Sequence, residues 1–263
     1  MSAGAMGSIA GHYLPFATLL KREILRFMTV SVQTLLSPVI TSSLYLFIFG
    51  VGLGGGIRIS GEYGFVEFVI PGLILMGVVT NAFQNSSSSL FFSRYIGNIV
   101  DYLVMPLPTT HFLLAFTLAA MVRGLLVGVV TLAVSIFFSR LPWPHPGYAI
   151  AMIVLASLVF SLFGLVAAVY SGTWDHLAVF GNFLLMPMVF LGGVFYPVSR
   201  LPELWARVSK TNPIFYLIDG FRYGALGVSE HSPAADLMIS AAVSAAFFVW
   251  AFALIRSGYR IKS

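Results

Sequence analysis

Between Arg26 and Arg58 the chain runs for 31 residues without a charged side chain. A helix rising 1.5 Å per residue crosses hydrocarbon in about 20 mostly apolar residues, so this run is long enough to span a bilayer. Five further stretches behave in the same way. The chain is read as an all-α integral membrane protein with six transmembrane helices, at 30–53, 65–86, 111–138, 147–170, 177–196 and 234–256. Only 9% of residues are charged, against about 25% in a soluble domain. Six crossings use up most of the 263 residues, so one membrane domain, 1–263, is expected. Gly50-Val-Gly-Leu-Gly-Gly-Gly56 ends the first span, and Leu141-Pro-Trp-Pro-His-Pro146 opens the fourth with Trp143 at the interface.

The net charge of +5 is read as contact with anionic lipid headgroups rather than with nucleic acid, because the basic residues sit at chain ends and loops. The absence of cysteine excludes disulfides, thiolate metal sites and cysteine nucleophiles. The opening residues lack a basic stretch followed by an apolar one, so no cleavable signal peptide is expected. Seven basic residues fall on the side of the termini and six on the other. Three of the seven, Lys21, Arg22 and Arg26, precede the first span, which places both termini in the cytoplasm.

Three segments are amphipathic rather than spanning. Residues 15–28 set Phe16, Leu19, Leu20, Ile24 and Phe27 on one helical face and Lys21, Arg22, Glu23 and Arg26 on the other. That suits a helix lying in the membrane interface. In 197–230, Leu201, Leu204, Trp205 and Val208 share a face, and Glu203 stands four before Arg207. Pro202 suits a first helical turn, while Asn212 and Pro213 read as the N-cap and first residue of a second helix. A pair of short helices entering the outer leaflet and returning is expected there. The loop at 92–108 carries an apolar stripe of Ile96, Ile99, Val100, Leu103 and Val104 between Arg94 and Asp101. By its pattern it either docks in another protein's groove or lies on lipid.

This loop also carries a resemblance. The order Arg94, Gly97, Asp101, Leu103 and then Pro106 to Pro108 is similar to the corresponding loop of ABC-2 type permeases. So are Phe68-Val-Ile-Pro-Gly-Leu-Ile74, Leu191-Gly-Gly-Val-Phe-Tyr-Pro-Val198, Asn212-Pro-Ile-Phe-Tyr216 and Gly220-Phe-Arg-Tyr-Gly-Ala-Leu-Gly227. From about residue 15 to 260 the chain resembles the YadH/NodJ branch of bacterial ABC-2 permeases. The resemblance implies six spans, an N-terminal interfacial helix, a cytoplasmic coupling helix and a re-entrant helical hairpin before the last span. It implies a dimer, with an ABC-type ATPase subunit docked on each copy, in the bacterial inner membrane. One chain carrying every element of the half-transporter favours a homodimer. The implied cargo is amphipathic: a lipid-linked glycan, a lipo-oligosaccharide or a drug.

On that likeness Arg94, Gly97, Asp101, Tyr102, Leu103, Met105 and Pro106 are the expected ATPase-docking residues. Tyr45, Asn81, Gln84, Arg123 and Phe190 are expected along the substrate pathway. Phe195, Tyr196, Pro197, Asp219 and Arg222 are expected at the outer gate, with Asp219 and Arg222 paired at i, i+3. Arg123 lies deep in a span, where a charge must face protein or a wet cavity. It either touches an anionic cargo headgroup or makes a structural pair, for example with Glu67. Asn81, Gln84, Asn85 and Ser86–Ser89 either line a vestibule or bond neighbouring helices. Gly124-x-x-x-Gly128 reads as close helix packing, favoured within the chain over a dimer seam.

Enzymatic chemistry finds no support in the sequence. A P-loop needs Gly-Lys-Ser/Thr, and none of the three lysines, Lys21, Lys210 and Lys262, follows a glycine. No cofactor or metal is expected on this chain; ATP and Mg belong to the partner subunit. The five histidines are scattered and form no His-x3-His ligand pair, and Asp175-His176 reads as a turn dipeptide rather than a dyad. The competing reading is an ATP-independent channel or assembly scaffold. A membrane-embedded enzyme ranks behind both.

Overall fold

Two helices come first, α1 (Ala3–Met28) and α2 (Ser31–Phe47). A short antiparallel ribbon, β1 (Arg58–Ser60) with β2 (Tyr63–Gly64), leads directly into α3 (Phe65–Tyr95). The long helices α4 (Thr109–Ser135), α5 (Pro146–Tyr170) and α6 (Trp174–Leu191) follow. The chain then makes a 3-10 turn at Val198–Arg200, α7 (Glu203–Thr211), α8 (Pro213–Leu226) and α9 (Pro233–Ser257). This is a computed structural model, and it describes residues 3–29, 31–48, 58–60, 63–97 and 108–259.

Among the described residues five helices are long and apolar enough to cross a membrane: α3, α4, α5, α6 and α9. The expected first span, 30–53, is represented by α2, whose 17 residues reach about 25 Å at 1.5 Å each. Residues 49–57, with the whole glycine run, lie outside the described residues. So do residues 98–107, and with them Asp101, Tyr102, Leu103, Met105 and Pro106.

Several expected boundaries move. The second span was expected to stop at 86, but α3 continues to Tyr95. The serines that read as a polar exit are helical and buried: Ser86, Ser87 and Ser89 all face protein. The N-terminal helix was expected from 15; it begins at Ala3 and runs through Pro15. Its acidic residue turns the other way from the expected polar face. Glu23 is buried, accepts a hydrogen bond from Ser89 Oγ and pairs with Arg26 at 3.2 Å. A charge that faces hydrocarbon costs more than one that meets a hydroxyl and a guanidinium inside the bundle. The ribbon at 58–64 had no counterpart in the all-helical expectation. Helix α6 contains a turn of π-helix at Phe180–Leu185.

Apolar side chains cover the outside as well as the core, as lipid requires, and several polar groups are buried. Asp219, Arg222, Asp236, Asn85 and Ser86 are buried, while Val32, Leu36, Ile40, Leu44 and Phe47 on α2 point outward. Packing is centred on α3 and α5, whereas α6 and α9 turn most of their surface outward. Small residues set the spacing between helices. A Cβ on Gly164 of α5 would stand 2.5 Å from the Phe83 carbonyl oxygen of α3. On α4, a Cβ at Gly124 would meet the Val78 carbonyl oxygen at 2.9 Å and one at Gly128 the Val78 side chain at 2.7 Å. The Gly-x-x-x-Gly of α4 therefore packs within the chain, against α3. Gly224 of α8 likewise lets Ala149 of α5 approach, with a Cβ to backbone separation of 2.6 Å.

Candidate transport cavity

Helix α2 carries Pro38 in its interior. Proline supplies no amide to the carbonyl four residues earlier, that of Thr34, and its ring pushes that turn open. Pro38 and Thr34 both line a cavity of about 380 Å3 bounded by α2, α3, α4 and α6. Its α2 wall adds Ser37, Thr41, Ser42 and Tyr45. Its α3 wall is Leu73, Met76, Gly77, Thr80, Asn81 and Gln84; Arg123 comes from α4 and Met186 from α6. Ser37 and Thr41 are exposed on the open side. A second cavity of about 390 Å3 continues on the far side of Gln84 and Arg123, towards Trp174, Ala178 and Asn182 of α6. Together they follow α3 from Leu73 to Ser88, about 22 Å of helix at 1.5 Å per residue.

The lining is polar because α3 satisfies its own hydroxyls. Thr80 Oγ1 donates to the Met76 carbonyl at 2.7 Å, and Asn81 Nδ2 donates to the Gly77 carbonyl at 3.0 Å. The Thr80 proton is thus used inside the helix, while Asn81 keeps a second amide hydrogen and its side-chain oxygen for other partners. The expected dual role of this stretch divides by residue. Asn81 and Gln84 line the cavity, whereas Asn85 and Ser89 bond neighbouring helices.

Arg123 stands where the two cavities meet. Its bond to Asn85 is long: Nη1 donates to Asn85 Oδ1 at 3.4 Å, and its buried Nε has no acceptor among the described residues. The same Asn85 oxygen accepts from Arg26 at 3.1 Å, so two guanidinium groups share one amide. The suggested pairing with Glu67 does not occur. Glu67 lies at the opposite end of α3, where Oε2 accepts from the Gly64 amide at 3.0 Å and Oε1 from the Ser139 hydroxyl at 3.1 Å.

At the Phe65 end of α3 the cavity gives way to aromatic rings. Tyr45 meets Phe195 at 5.4 Å between centroids, and Phe195 stacks on Phe190 at 5.8 Å. Tyr196 hydroxyl donates to the Phe190 carbonyl at 2.9 Å. Of the five residues expected along the pathway, Tyr45, Asn81, Gln84 and Arg123 line the first cavity. Phe190 stands outside that lining and reaches Tyr45 through Phe195.

Behind the aromatics lies a buried polar knot. Arg222 of α8 donates to the Gly193 carbonyl at 2.8 Å and to the Phe68 carbonyl at 3.4 Å. Its guanidinium carbon sits 3.8 Å above the Phe68 ring. It faces Asp219 at 3.9 Å, so the expected pair exists, but loosely. Asp219 spends its acceptors on the backbone amides of Glu230 and His231, at 2.9 Å each. Glu230 in turn accepts from the amides of Val198, at 2.9 Å, and Ser199, beside Pro197. His231 Nδ1 lies 2.7 Å from Asp236 Oδ1. None of these three partners was anticipated from the sequence; they join residues 5 to 32 positions apart with no local periodicity. By contrast the Asn212 cap is as expected: its side chain accepts from the Ile214 amide at 3.0 Å, with Pro213 in the first turn.

At the other end of α3, Arg94 is held inside the molecule. Nη1 donates to the carbonyls of Ala168 at 2.6 Å and Val169 at 3.3 Å, with Ser171 at 3.4 Å. These close the last turn of α5, where carbonyls lack helical partners. Phe91 packs against Trp174 at 4.6 Å, tying the same corner to α6. Gly97, with φ of 83°, turns the chain at the end of α3. Arg94→Ala is expected to speed amide exchange over residues 169–174 by about tenfold or more, since hydrogen bonds to a charged group contribute about 1.5–3 kcal/mol. Unchanged exchange there would show that α5 closes without it.

The sequence profile described as ABC-2 type transporter matches residues 15–226. The inner membrane transport permease YadH of Escherichia coli K12 is 37% identical over 252 residues, covering 96% of this chain and 98% of that protein. Nodulation protein J of Rhizobium leguminosarum bv. trifolii is 23% identical over 229 residues, covering 86% and 87%. Nodulation protein J of Azorhizobium caulinodans is 25% identical over 212 residues, covering 79% and 82%.

Proposed function

The chain belongs to the ABC-2 type transporter family, and on that premise we propose that it is the permease subunit of an ATP-driven exporter. Its cargo is an amphipathic or lipid-like molecule taken from the cytoplasm or inner leaflet. The observation that carries this reading is the polar cavity of about 380 Å3 between apolar helices, closed at one end by aromatics and at the other by Arg123. Such a shape accepts a polar headgroup, while the open α2 side leaves room for an apolar tail.

The reading has six spans in the bacterial inner membrane, with α2 crossing together with residues beyond it, and both termini cytoplasmic. Helix α1 lies in the interface, and α7 and α8 form the re-entrant pair, with the exposed Leu204, Trp205 and Val208 meeting lipid. Two copies form the pathway, each docked on an ATPase subunit that holds ATP and Mg. Asp101, Tyr102, Leu103, Met105 and Pro106 make the docking surface, and Arg94 passes its motion to the end of α5 through the carbonyls it holds. The knot of Asp219 and Arg222 braces the outer gate at Phe195, Tyr196 and Pro197.

Co-expression with a candidate ABC-type ATPase subunit, followed by pull-down and ATPase assay in lipid nanodiscs, tests this. A stable 2:2 complex with ATP turnover is expected. Asp101→Arg is expected to leave the permease folded, weaken association by about tenfold or more, as for loss of a buried interfacial charge partner, and abolish transport. Wild-type transport by that variant removes the docking assignment. Failure to associate with any ATPase moves the channel or scaffold reading to first place.

A further inference from the structure

The strongest unassigned chemistry in the molecule is the guanidinium of Arg123. It lines both cavities, makes one long bond to Asn85 and leaves a buried Nε without an acceptor. Its charged neighbour is another cation, Arg26, bound to the same amide oxygen. No carboxylate lines either cavity among the described residues. A single charge within a membrane span is costly unless paired or hydrated. Here the described residues supply neither a counter-charge within the cavities nor a full set of acceptors. Ser37, Thr41, Thr80, Asn81 and Gln84 surround the approach to Arg123 with hydroxyls and amides. These groups hydrogen-bond hydroxylated ligands and do not compete with an anion.

We propose that Arg123 anchors one anionic oxygen group, a phosphate or carboxylate, on a hydroxylated headgroup that fills the cavity along α2 and α3. This rests on the permease reading above and narrows its cargo to anionic, hydroxyl-bearing amphiphiles. The guanidinium binds the anion through its Nη–H groups, in the planar fork that suits two-oxygen acceptors. Gln84, at the junction of both cavities, bonds a neighbouring headgroup hydroxyl. The apolar part of the ligand leaves past the exposed α2 side.

The test uses the purified full chain in a neutral maltoside detergent, without any ATPase. Phosphatidylglycerol is the probe, with phosphatidylcholine as the zwitterionic control. One-to-one retention is read by native mass spectrometry, and the shift of the thermal unfolding midpoint is read alongside. Wild type is expected to retain one phosphatidylglycerol in preference to phosphatidylcholine. Arg123→Gln is expected to weaken that retention by about tenfold to a hundredfold, the range for a charge-assisted hydrogen-bonded pair. Arg123→Lys, which keeps the charge and loses the fork, is expected to fall between the two. Lys21→Gln, at the exposed face of α1, is expected to change nothing.

Inorganic phosphate separates two sources of the same chemistry. If it displaces the lipid and raises the unfolding midpoint alone, a soluble anion suffices. If it does neither while phosphatidylglycerol binds through Arg123, the site takes a lipid headgroup. Equal retention of both lipids, or phosphatidylglycerol binding untouched by Arg123→Gln, overturns the proposal. Should Arg123→Gln not fold, Gln84→Leu decides: preserved headgroup selectivity in that variant overturns it as well. Failure here leaves the ATPase association standing, because that is measured separately; loss of ATPase association leaves the anion site standing.

Discussion

Arg222→Ala is expected to yield little monodisperse protein and to drop the unfolding midpoint steeply, the largest effect of any single truncation in this chain. Arg222 is fully buried, and its loss strands the Gly193 carbonyl and leaves the buried Asp219 carboxylate without a counter-charge. Breaking one side of a buried ion pair costs about 3–5 kcal/mol, a large share of the 5–15 kcal/mol that holds a typical domain folded. The face contact with Phe68 is lost as well. Removing both charges is milder, since an apolar replacement of a whole pair is often neutral. Asp219→Asn combined with Arg222→Met is therefore expected to regain part of the midpoint, because asparagine keeps an oxygen for the Glu230 and His231 amides. Unfolding in detergent, followed by intrinsic tryptophan fluorescence, reads both variants. A double variant no better than Arg222→Ala would show that the carbonyl bonds, not the charge balance, hold this knot.

The second large effect is expected at Gly164. Valine there drives two methyl groups into the α3 backbone, where even the first carbon would lie 2.5 Å from the Phe83 carbonyl oxygen and 3.1 Å from the Ser87 amide nitrogen. Backbone inside a packed helix does not yield as a side chain does, so α3 and α5 must separate. Overpacking costs about 1–3 kcal/mol where neighbours adjust, and more is expected where two central helices part. Gly128→Ala is the milder comparison: its Cβ meets side-chain ends of Val78 and Ile153 that can rotate away. The order expected in unfolding midpoint is wild type, then Gly128→Ala, then Gly164→Val. A Gly164→Val protein as stable as wild type would mean that the α3–α5 contact has slack.

Much of this architecture was legible because lipid imposes simple rules. The long apolar helices, the Asn212-Pro213 start of α8 and the packing of Gly124 and Gly128 all follow from local residue choice. What escaped was the part that depends on partners distant in sequence. The serines after Asn85 look like the end of a span because their polarity is visible and their cover is not. Gly164, which admits Ser86 against α5, is 78 residues away. Glu23 reads as a surface charge by helical wheel, yet its acceptor oxygens meet Ser89, 66 residues on. The five residues expected along the pathway came from the family likeness, and four of them line one cavity. The Glu230, His231 and Asp236 partners carry no such contrast, since they sit at a helix start where charge is ordinary.

The hydroxyls of α3 bear on how the protein is made. Thr80, Ser86, Ser88 and Ser93 each donate to a carbonyl three or four residues earlier on the same helix. A nascent α3 leaving the translocation machinery therefore shields these protons without help from α5, and its partition into lipid costs less than its serine content suggests. Glu67 and Arg94 mark its two ends, so neither charge has to rest at mid-bilayer while the rest of the chain is still being synthesised. Integration of this helix is thus separable from assembly of the bundle, and the oxygen-rich wall of the cavity is in place before the other walls close around it.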